Sequence, residues 1–274
     1  MKIHGEYRSR KVVAAIFIVF LLAGGIYPAV CSADVVAEII DGDTVVMGDG
    51  SRVRLVGVDS PEAGEPWSRE AADWMERESR GKDIRLVKCE ERDKYGRILA
   101  VLVRGKDNLN LKLLAEGLAV PMLIPPCGKL LVPDAMKRAA EALLNGRGLY
   151  SQPEFQIVGH GRSRDLIGRS GVVRGRIRSL YRGPKATHLN FGPDWRTDFT
   201  AVIFSQGRAR FQALGLEVGE LVGREVLVIG PVREYNGPEI VVRYPEQILP
   251  LAGPIPGGEP GPMGEDPAGK RDVD

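Results

Sequence analysis

Three short stretches of the sequence carry the residue types that hydrolysis of a phosphodiester requires. They span residues 41–44, 54–62 and 93–97, and together they supply carboxylates and arginines. This reaction needs a hard cation on the phosphate oxygens, a base that deprotonates water, and positive groups that stabilise the charge of the transition state. The three stretches offer candidates for all three parts, so the sequence indicates an enzyme that cleaves phosphodiester bonds.

Residues 34–155 resemble the staphylococcal nuclease, or thermonuclease, family of calcium-dependent phosphodiesterases. The resemblance rests on three motifs in the right order, with the helix spacing that follows them: Asp-Gly-Asp-Thr at 41–44, Arg-Leu-Val-Gly-Val-Asp-Ser-Pro-Glu at 54–62, and Asp-Lys-Tyr-Gly-Arg at 93–97. It implies an OB-type five-stranded barrel with three helices. It also implies that the substrate is DNA, RNA or both.

Asp43 and Asp59 are the candidate metal ligands, because Ca²⁺ prefers oxygen donors and carboxylates supply both charge and flexible geometry. The resemblance implies that both bind the ion directly, with the main-chain carbonyl of Ser60. Asp41 would then contact the ligands without binding the ion itself. The alternative is that residues 41–43 only form a turn between strands, as such sequences often do.

Glu62, Arg54 and Arg97 are the candidate catalytic residues. The resemblance implies that Glu62 is the general base and that the two arginines clamp the phosphate, a task for which a planar guanidinium is well suited. Water would attack phosphorus in line, the 5′ oxygen would leave, and a 3′-phosphate would result. Alternatively, Glu62 is an acid favoured at a helix entry, and either arginine is a solvated strand residue.

Three further residues are candidates for substrate binding. Lys94 and Tyr95 match family residues that lie against a terminal phosphate or a base, although a turn-capping tyrosine is an alternative. Residues 120–125 lack the tyrosines that stack on the base in the family. Trp67 is a candidate replacement, because an aromatic face accepts any base; ordinary packing at a helix start is the alternative.

The first 33 of the 274 residues have the pattern of a signal peptide. Basic residues precede an apolar run at 12–26, and small residues at 29–33 provide a cleavage site. An uncleaved anchor and a lipid-modified Cys31 are alternatives. We expect a secreted or periplasmic monomer that begins near Asp34.

Cys89 and Cys127 are then the two cysteines of the mature protein, in a compartment where thiols can oxidise. A disulfide between them would close a loop worth roughly 4 kcal/mol in the chain-entropy model. Two free buried thiols are the alternative.

Hydrophobic periodicity predicts a mainly β protein with helices, of the α+β class. Residues 35–60 alternate in the manner of short antiparallel strands, and helices are predicted at 66–80, 108–116 and 134–144. We expect a nuclease-like domain at 34–155, a linker at 156–169, a second small OB-like β-barrel at 170–251, and a disordered Gly/Pro-rich tail at 252–274.

The second predicted domain carries an excess of positive charge. Residues 160–250 contain 14 basic and nine acidic residues, and Arg174, Arg176 and Arg178 alternate along one strand, which puts them on one face. This face could bind a nucleic-acid backbone, with Tyr181, Phe191 and Trp195 as stacking groups, or it could be an ordinary solvated face.

Two other classes of function compete with a nuclease. A non-catalytic nucleic-acid-binding protein could use the same barrel, and a calcium-binding adhesion module could use the acids. The presence of both arginines argues against each of them. The net charge of +2 excludes neither of these two classes. The sequence leaves open whether DNA or RNA is preferred and whether cleavage is endonucleolytic or exonucleolytic.

Overall fold

The structure, a computed structural model, describes residues 35–123, 125 and 127–251. The predicted signal peptide at 1–33 and the predicted tail at 252–274 therefore lie outside the described residues. Among the described residues, no helix has both the length and the apolar composition needed to cross a membrane.

The first sheet is built from short strands rich in β-branched residues. Val45 and Val53 face each other across two antiparallel strands and are fully buried, which anchors the sheet on the core. The strand order is β1-β2-β3-β6-β5, with β7 also paired to the end of β6 and a separate pair formed by β4 and β8. The strands are β1 (Val36–Ile39), β2 (Thr44–Met47), β3 (Arg52–Leu55), β4 (Gly57–Asp59), β5 (Arg85–Arg92), β6 (Ile98–Arg104), β7 (Asp107–Asn108) and β8 (Val120–Met122).

Three helices cover this sheet, as the hydrophobic pattern predicts. They are α1 (Ser68–Ser79), α2 (Leu109–Ala115) and α3 (Val132–Leu144), each within a few residues of its predicted bounds. Asn108 caps α2, since its side-chain oxygen accepts the Leu111 N–H at 3.1 Å. Asn110, fully buried one residue into α2, joins that helix to the sheet: it accepts the Leu102 N–H and donates to the carbonyls of Val56 and Ala100.

The second sheet has the order β11-β12-β13-β15-β14-β10-β9, with β16 also paired to β14. Within the predicted linker, β9 pairs in parallel with β10 and is followed by a 3₁₀ helix at His160–Leu166. The elements are β9 (Ile157–Gly159), β10 (Ser170–Arg176), β11 (Ser179–Arg182), β12 (Ala186–Asn190), β13 (Thr200–Phe204), α4 (Ser205–Ala213), β14 (Glu225–Glu234), β15 (Pro238–Val241) and β16 (Ile248–Pro250).

The two sheets pack against each other through apolar side chains. Val172, Leu227 and Leu249 come from the second sheet but belong to the hydrophobic core of the first. The other inward side chains of the second sheet form a core of their own around Phe191 and Phe199, whose rings meet edge to face at 4.9 Å. This packing joins the second sheet to the core of the first.

The predicted α+β class is confirmed, with sheets as the main component. The hydrogen bonds of the described residues leave both sheets open, with β1 and β5 at the edges of the first. Strand pairing therefore closes neither the barrel that the resemblance implies for residues 34–155 nor the second barrel that the strand pattern predicts at 170–251.

A disulfide joins Cys89 and Cys127, as we expected from the number of cysteines. Cys89 lies on β5, and Cys127 begins a 3₁₀ helix that leads into α3. The bridge fastens the segment after β8 to the edge of the first sheet.

The central position of Asn110 leads to a prediction about stability. Asn110→Ala removes its hydrogen bonds to the Leu102 N–H and the Val56 carbonyl inside the core, whereas the Ala100 carbonyl still accepts the Val56 N–H at 3.0 Å. We therefore expect the free energy of unfolding to fall by about 3 kcal/mol. Urea denaturation measures this change. Asn145→Ala is the matched control, because Asn145 lies exposed at the end of α3 and donates only to the Glu141 carbonyl; a similar loss in both variants would contradict the prediction.

Candidate active site

Six of the predicted site residues line one cleft of about 560 Å³ beside the first sheet. They come from different elements, and the fold brings them together. The turn between β1 and β2 carries Asp41 and Asp43, β3 carries Arg54, the end of β4 and the loop after it carry Asp59 and Glu62, and the turn between β5 and β6 carries Arg97.

The turn at residues 41–43 is organised by its own side chains. Asp41 accepts the Asp43 N–H at 2.9 Å, which closes a turn of the Asx type. Gly42 sits against helix α1 and the loop after β4: a Cβ atom there would lie 2.7 Å from the Cβ of Ala71 and 2.8 Å from that of Ser60. Residues 41–43 therefore form a turn between strands and also contribute to the candidate site, since the turn places Asp43 in the lining of the cleft.

Asp43 is a buried carboxylate with several donors around it. Its oxygens accept the Thr44 hydroxyl at 3.0 Å and the Ser60 N–H at 2.6 Å, and the Arg54 Nε lies 3.2 Å away. Burial raises the pKa of Asp43 to about 7, against the attraction of Arg54 and with a further contribution from Asp41. The fold thus keeps this carboxyl in surroundings that disfavour its charge.

Arg54 joins the two candidate metal ligands. Besides its contact with Asp43, its Nη2 donates to Asp59 at 2.7 Å, and its Nη1 donates to the carbonyls of Leu55 and Val58, each at 2.7 Å. The side chain is buried, so these partners hold the guanidinium in one position. Arg54 is the cation that compensates both acids in the metal-free protein.

Asp59 and Glu62 lie on the two sides of Ser60. Burial raises the pKa of Asp59; Arg54 opposes this effect, and the negative charges of Glu62, Asp41 and Glu65 add to it. Glu62 is exposed, and its N–H donates to Glu65 at 2.9 Å. Ser60 is buried, and its hydroxyl has no hydrogen-bond partner among the described residues.

Arg97 is positioned by Asp93 at the start of its own turn. Asp93 Oδ2 accepts Arg97 Nε at 2.6 Å, and Oδ1 accepts the main-chain N–H groups of Tyr95 and Arg97. Burial acts in the other direction, but these hydrogen bonds hold the pKa of Asp93 below its usual value. Gly96 has a φ of 80°, which completes the tight turn.

The remaining predicted residues lie outside the lining of the cleft. Tyr95 is 71% exposed on the rim, with the Lys94 ammonium 4.9 Å and the Arg97 guanidinium 5.4 Å from the centre of its ring. Trp67 packs against the core of the first sheet, with a φ of 71° at the residue before α1. The structure thus places Lys94 and Tyr95 next to Arg97 but does not bring Trp67 to the cleft.

The structure also identifies lining residues that the motifs missed. Arg52 lies two residues before Arg54 on β3, so strand alternation could have indicated it. Arg92 donates to the Gly96 carbonyl at 2.8 Å, and Met122 places its sulfur 3.9 Å from Arg54 Nη2. Neither had a signal in the sequence, because their positions depend on how β5 and β8 pair.

The composition of the cleft suits a hard cation. Its lining carries five carboxylates and four arginines, so a polyanionic phosphate ester meets little net attraction there. Two of the carboxylates, Asp43 and Asp59, already have pKa values raised by burial. No three His, Cys, Asp or Glu side chains gather as a metal-binding group within the described residues, so such an ion would need main-chain, solvent or substrate oxygens as well.

Comparison with known proteins agrees with this geometry. The family described as staphylococcal nuclease homologues matches residues 52–151. A thermonuclease from Staphylococcus intermedius is 37% identical over 122 residues, which cover 40% of this chain and 73% of that protein. A thermonuclease from Staphylococcus hyicus is 38% identical over 94 residues, and a protein described as an uncharacterized endonuclease from Escherichia coli is 36% identical over 91 residues. The chain spans 56% and 58% of the lengths of these last two relatives.

The fold, the cleft and these matches together define the class of the protein as a nuclease, a hydrolase of phosphodiester bonds. The chain belongs to the staphylococcal nuclease family. The family match begins at Arg52, so its range includes Arg54, Asp59, Glu62 and Arg97.

The raised pKa of Asp43 leads to a prediction about the metal-free protein. Its folded value of about 7 exceeds its ordinary value of 3.8, so wild-type protein loses stability as pH rises from about 4 to about 7. Asn does not ionise and escapes this loss. At about 1.4 kcal/mol per pKa unit this loss is about 4 kcal/mol, so after subtracting about 1 kcal/mol for a lost acceptor we expect Asp43→Asn to be more stable by about 3 kcal/mol at pH 8.

Urea denaturation with a chelator, at about pH 8 and again near pH 4, measures the two variants. Asp73→Asn is the control, because Asp73 is exposed on α1 and its substitution should change stability by less than about 0.5 kcal/mol. An Asp43→Asn protein that is no more stable than wild type at the higher pH would contradict the prediction.

Proposed function

We propose that this protein is a calcium-dependent nuclease that is secreted or periplasmic and hydrolyses DNA, RNA or both. The observation that carries the proposal is the convergence of three distant sequence motifs on one cleft. The cleft is lined by side chains from residues 41–43, 54–62 and 97. Turns and solvated strand positions alone would not require these three motifs to lie together. Endonucleolytic cleavage is supported by the name of the Escherichia coli relative.

Asp43 and Asp59 would hold the calcium ion, with the main-chain carbonyl of Ser60, and Asp41 would support them through the turn that it closes. This donor set fits the ion, because it offers hard oxygen atoms, and burial already disfavours the two carboxylates in the absence of added positive charge. When bound, the ion would supply positive charge for the phosphate oxygens.

The chain's own residues would perform the other steps. Glu62, exposed at the edge of the cleft, would take a proton from the attacking water. Arg54 and Arg97 would donate to the phosphate oxygens as charge builds up on them. By analogy with the family, the 5′ oxygen would leave and a 3′-phosphate would remain; Lys94 and Tyr95, on the rim beside Arg97, would contact the nucleotide.

Two features support the proposed location outside the cytoplasm. The sequence begins with the pattern of a signal peptide, and the disulfide between Cys89 and Cys127 is typical of oxidising compartments. We retain the division into a nuclease domain, a linker and a second β domain as part of the proposal. The cores of the two sheets support it in outline.

Substitution of the proposed base and clamp tests the mechanism. Glu62→Gln and Arg97→Ala should each lower kcat by about 100-fold or more, because each removes a group that acts in the transition state. The assay is digestion of plasmid DNA and of RNA with added calcium, and chelation should abolish it. Glu70→Gln and Arg69→Ala are matched controls on the exposed face of α1 and should retain activity. Near-normal activity of both cleft variants would refute the assignment.

The role of Asp93 as a positioning residue gives a separate prediction. Asp93→Ala removes the acceptor that holds the Arg97 Nε, so kcat should fall by about tenfold or more while unfolding stays cooperative. Asp49→Ala is the control, because Asp49 closes a similar turn by accepting the Ser51 N–H but lies outside the cleft. Asp93→Asn keeps the acceptor at Oδ1 that closes the turn but removes the carboxylate oxygen that holds Arg97 Nε. We expect the activity of this variant to stay reduced; full activity would show that Asp93 only stabilises the turn.

A further inference from the structure

A second groove, of about 650 Å³, adjoins the active-site cleft. The two share Asp59, Met122 and Pro125, so they form one continuous depression. The far wall of the second groove comes from helix α4 and from the 3₁₀ helix at Pro245–Gln247, both parts of the second sheet's own unit. The groove thus leads from the proposed metal ligands toward the part of the chain that the family match does not include.

A third depression, of about 320 Å³, continues the path. It shares Arg210 and Tyr244 with the second groove and reaches Arg243 and Phe204. We call the second and third depressions together the extended groove. It has a substantial apolar component, since Pro121, Leu123 and Ala213 also line it.

The extended groove contains an aromatic ring with a cation on it. The Arg210 guanidinium lies 4.2 Å from the centre of the Tyr244 ring, and Arg210 Nη1 donates to the Arg243 carbonyl at 2.9 Å. Tyr244 nevertheless remains 47% exposed, and Phe204 is 40% exposed. Both side chains therefore offer aromatic surface within a groove that adjoins the cleft.

The charges of the extended groove favour a phosphate backbone. Arg210 and Arg243 bring positive charge, whereas Arg233 is already paired with the buried Glu239. Glu246 also lines the second groove, where burial raises the pKa of its carboxyl against the attraction of Arg210, and its Oε2 has no hydrogen-bond partner among the described residues. The lining of the third depression includes Arg210, Arg233 and Arg243 and, among the described residues, no carboxylate, whereas Asp59 and Glu246 line the second groove.

We propose that the extended groove binds single-stranded nucleic acid that continues from the scissile phosphate. Tyr244 stacks on an unpaired base, and Arg210 and Arg243 contact the phosphates that flank it. This inference rests on the proposed function, since it needs the scissile phosphate in the cleft. The substrate class that follows is unpaired DNA or RNA, because a duplex hides the base faces that Tyr244 would contact.

The arginine face that the sequence indicated is less suited to this task. Arg174, Arg176 and Arg178 are all exposed on one face, but Arg174 is paired with Glu225 at 2.7 Å. Phe191, expected there as a stacking group, is fully buried in the second core and cannot meet a base. None of these residues lines the cleft or the extended groove.

Steady-state kinetics on a short and a long substrate test the proposal. The substrates are a thymidine dinucleotide and an oligothymidylate of about 12 nucleotides, a length within the site size of a single OB fold. We expect Tyr244→Leu to raise KM for the oligonucleotide by about tenfold and to leave kcat and KM for the dinucleotide unchanged. Tyr244→Phe keeps the aromatic face and should behave as wild type.

Salt dependence separates phosphate contacts from other effects. For single strands, each phosphate contact adds about 0.7 to the slope of log affinity against log salt, so the double variant Arg210→Gln, Arg243→Gln should lower that slope by about 1.4 for the long substrate. Tyr235→Leu and Arg176→Gln are matched controls, since Tyr235 is 48% exposed in the β14–β15 loop and Arg176 is exposed on β10. Both should leave the long substrate unaffected.

Binding of a labelled oligonucleotide in the presence of a chelator, followed by fluorescence anisotropy, tests the groove without any cleavage. A loss of affinity in Tyr244→Leu but not in Tyr235→Leu supports the proposal. Equal affinity in wild type and Tyr244→Leu, or tighter binding of a duplex than of the single strand, would overturn it. Failure of wild-type protein to hydrolyse either substrate would contradict the proposed function instead, and the anisotropy measurement would still decide the groove.

Discussion

The contacts of the buried Arg54 guanidinium are the interactions on which the candidate active site depends. The guanidinium contacts Asp43, from the turn after β1, and Asp59, from the end of β4, and it donates to two main-chain carbonyls between them. Carboxylates around one cleft repel each other, and the charge of Asp41 acts on both Asp43 and Asp59. An ion pair that is buried also carries a large desolvation cost unless its geometry is good. Arg54 offsets that repulsion, and the carbonyls of Leu55 and Val58 fix the direction of the guanidinium. The separate turns can therefore present their acids to one cleft.

This arrangement is stable only because the surrounding structure holds it in place. Asn110 joins α2 to the sheet that carries Arg54, and the close approach of Gly42 to Ala71 presses the first acidic turn onto α1. Even so, burial raises the pKa values of Asp43 and Asp59. The charged forms of these two carboxylates are therefore unfavourable in the metal-free fold, and a bound cation would stabilise them. Preorganised sites commonly reduce the stability of the empty protein in this way.

Local interactions explain which parts of this structure could be predicted from the sequence. The turns around Asp41 and Asp93 are closed by their own carboxylates, and the three helices follow their hydrophobic periodicity, so both were readable in the residues themselves. The position of Trp67 could not be predicted from the sequence, since it depends on a left-handed backbone conformation before α1. The open edges of the sheets and the place of Met122 depend on strand pairing over long sequence distances. The burial of Phe191 depends on the second core, where its ring packs on Phe199.

The charge balance of the cleft shows why a second binding region would matter. Arginines and carboxylates nearly cancel in its lining, so even with a divalent ion the cleft has little excess charge to retain a long polyanion. Affinity for the rest of the strand must then come from residues beyond it. Besides Lys94 and Tyr95 on the rim, exposed cationic and aromatic side chains lie around Tyr244, in the groove that adjoins the cleft. They belong to a unit that packs against the first sheet. With binding divided in this way, the carboxylates of the cleft would serve catalysis, and the arginines of the extended groove would attract the rest of the strand. Neither set of charges would then cancel the effect of the other.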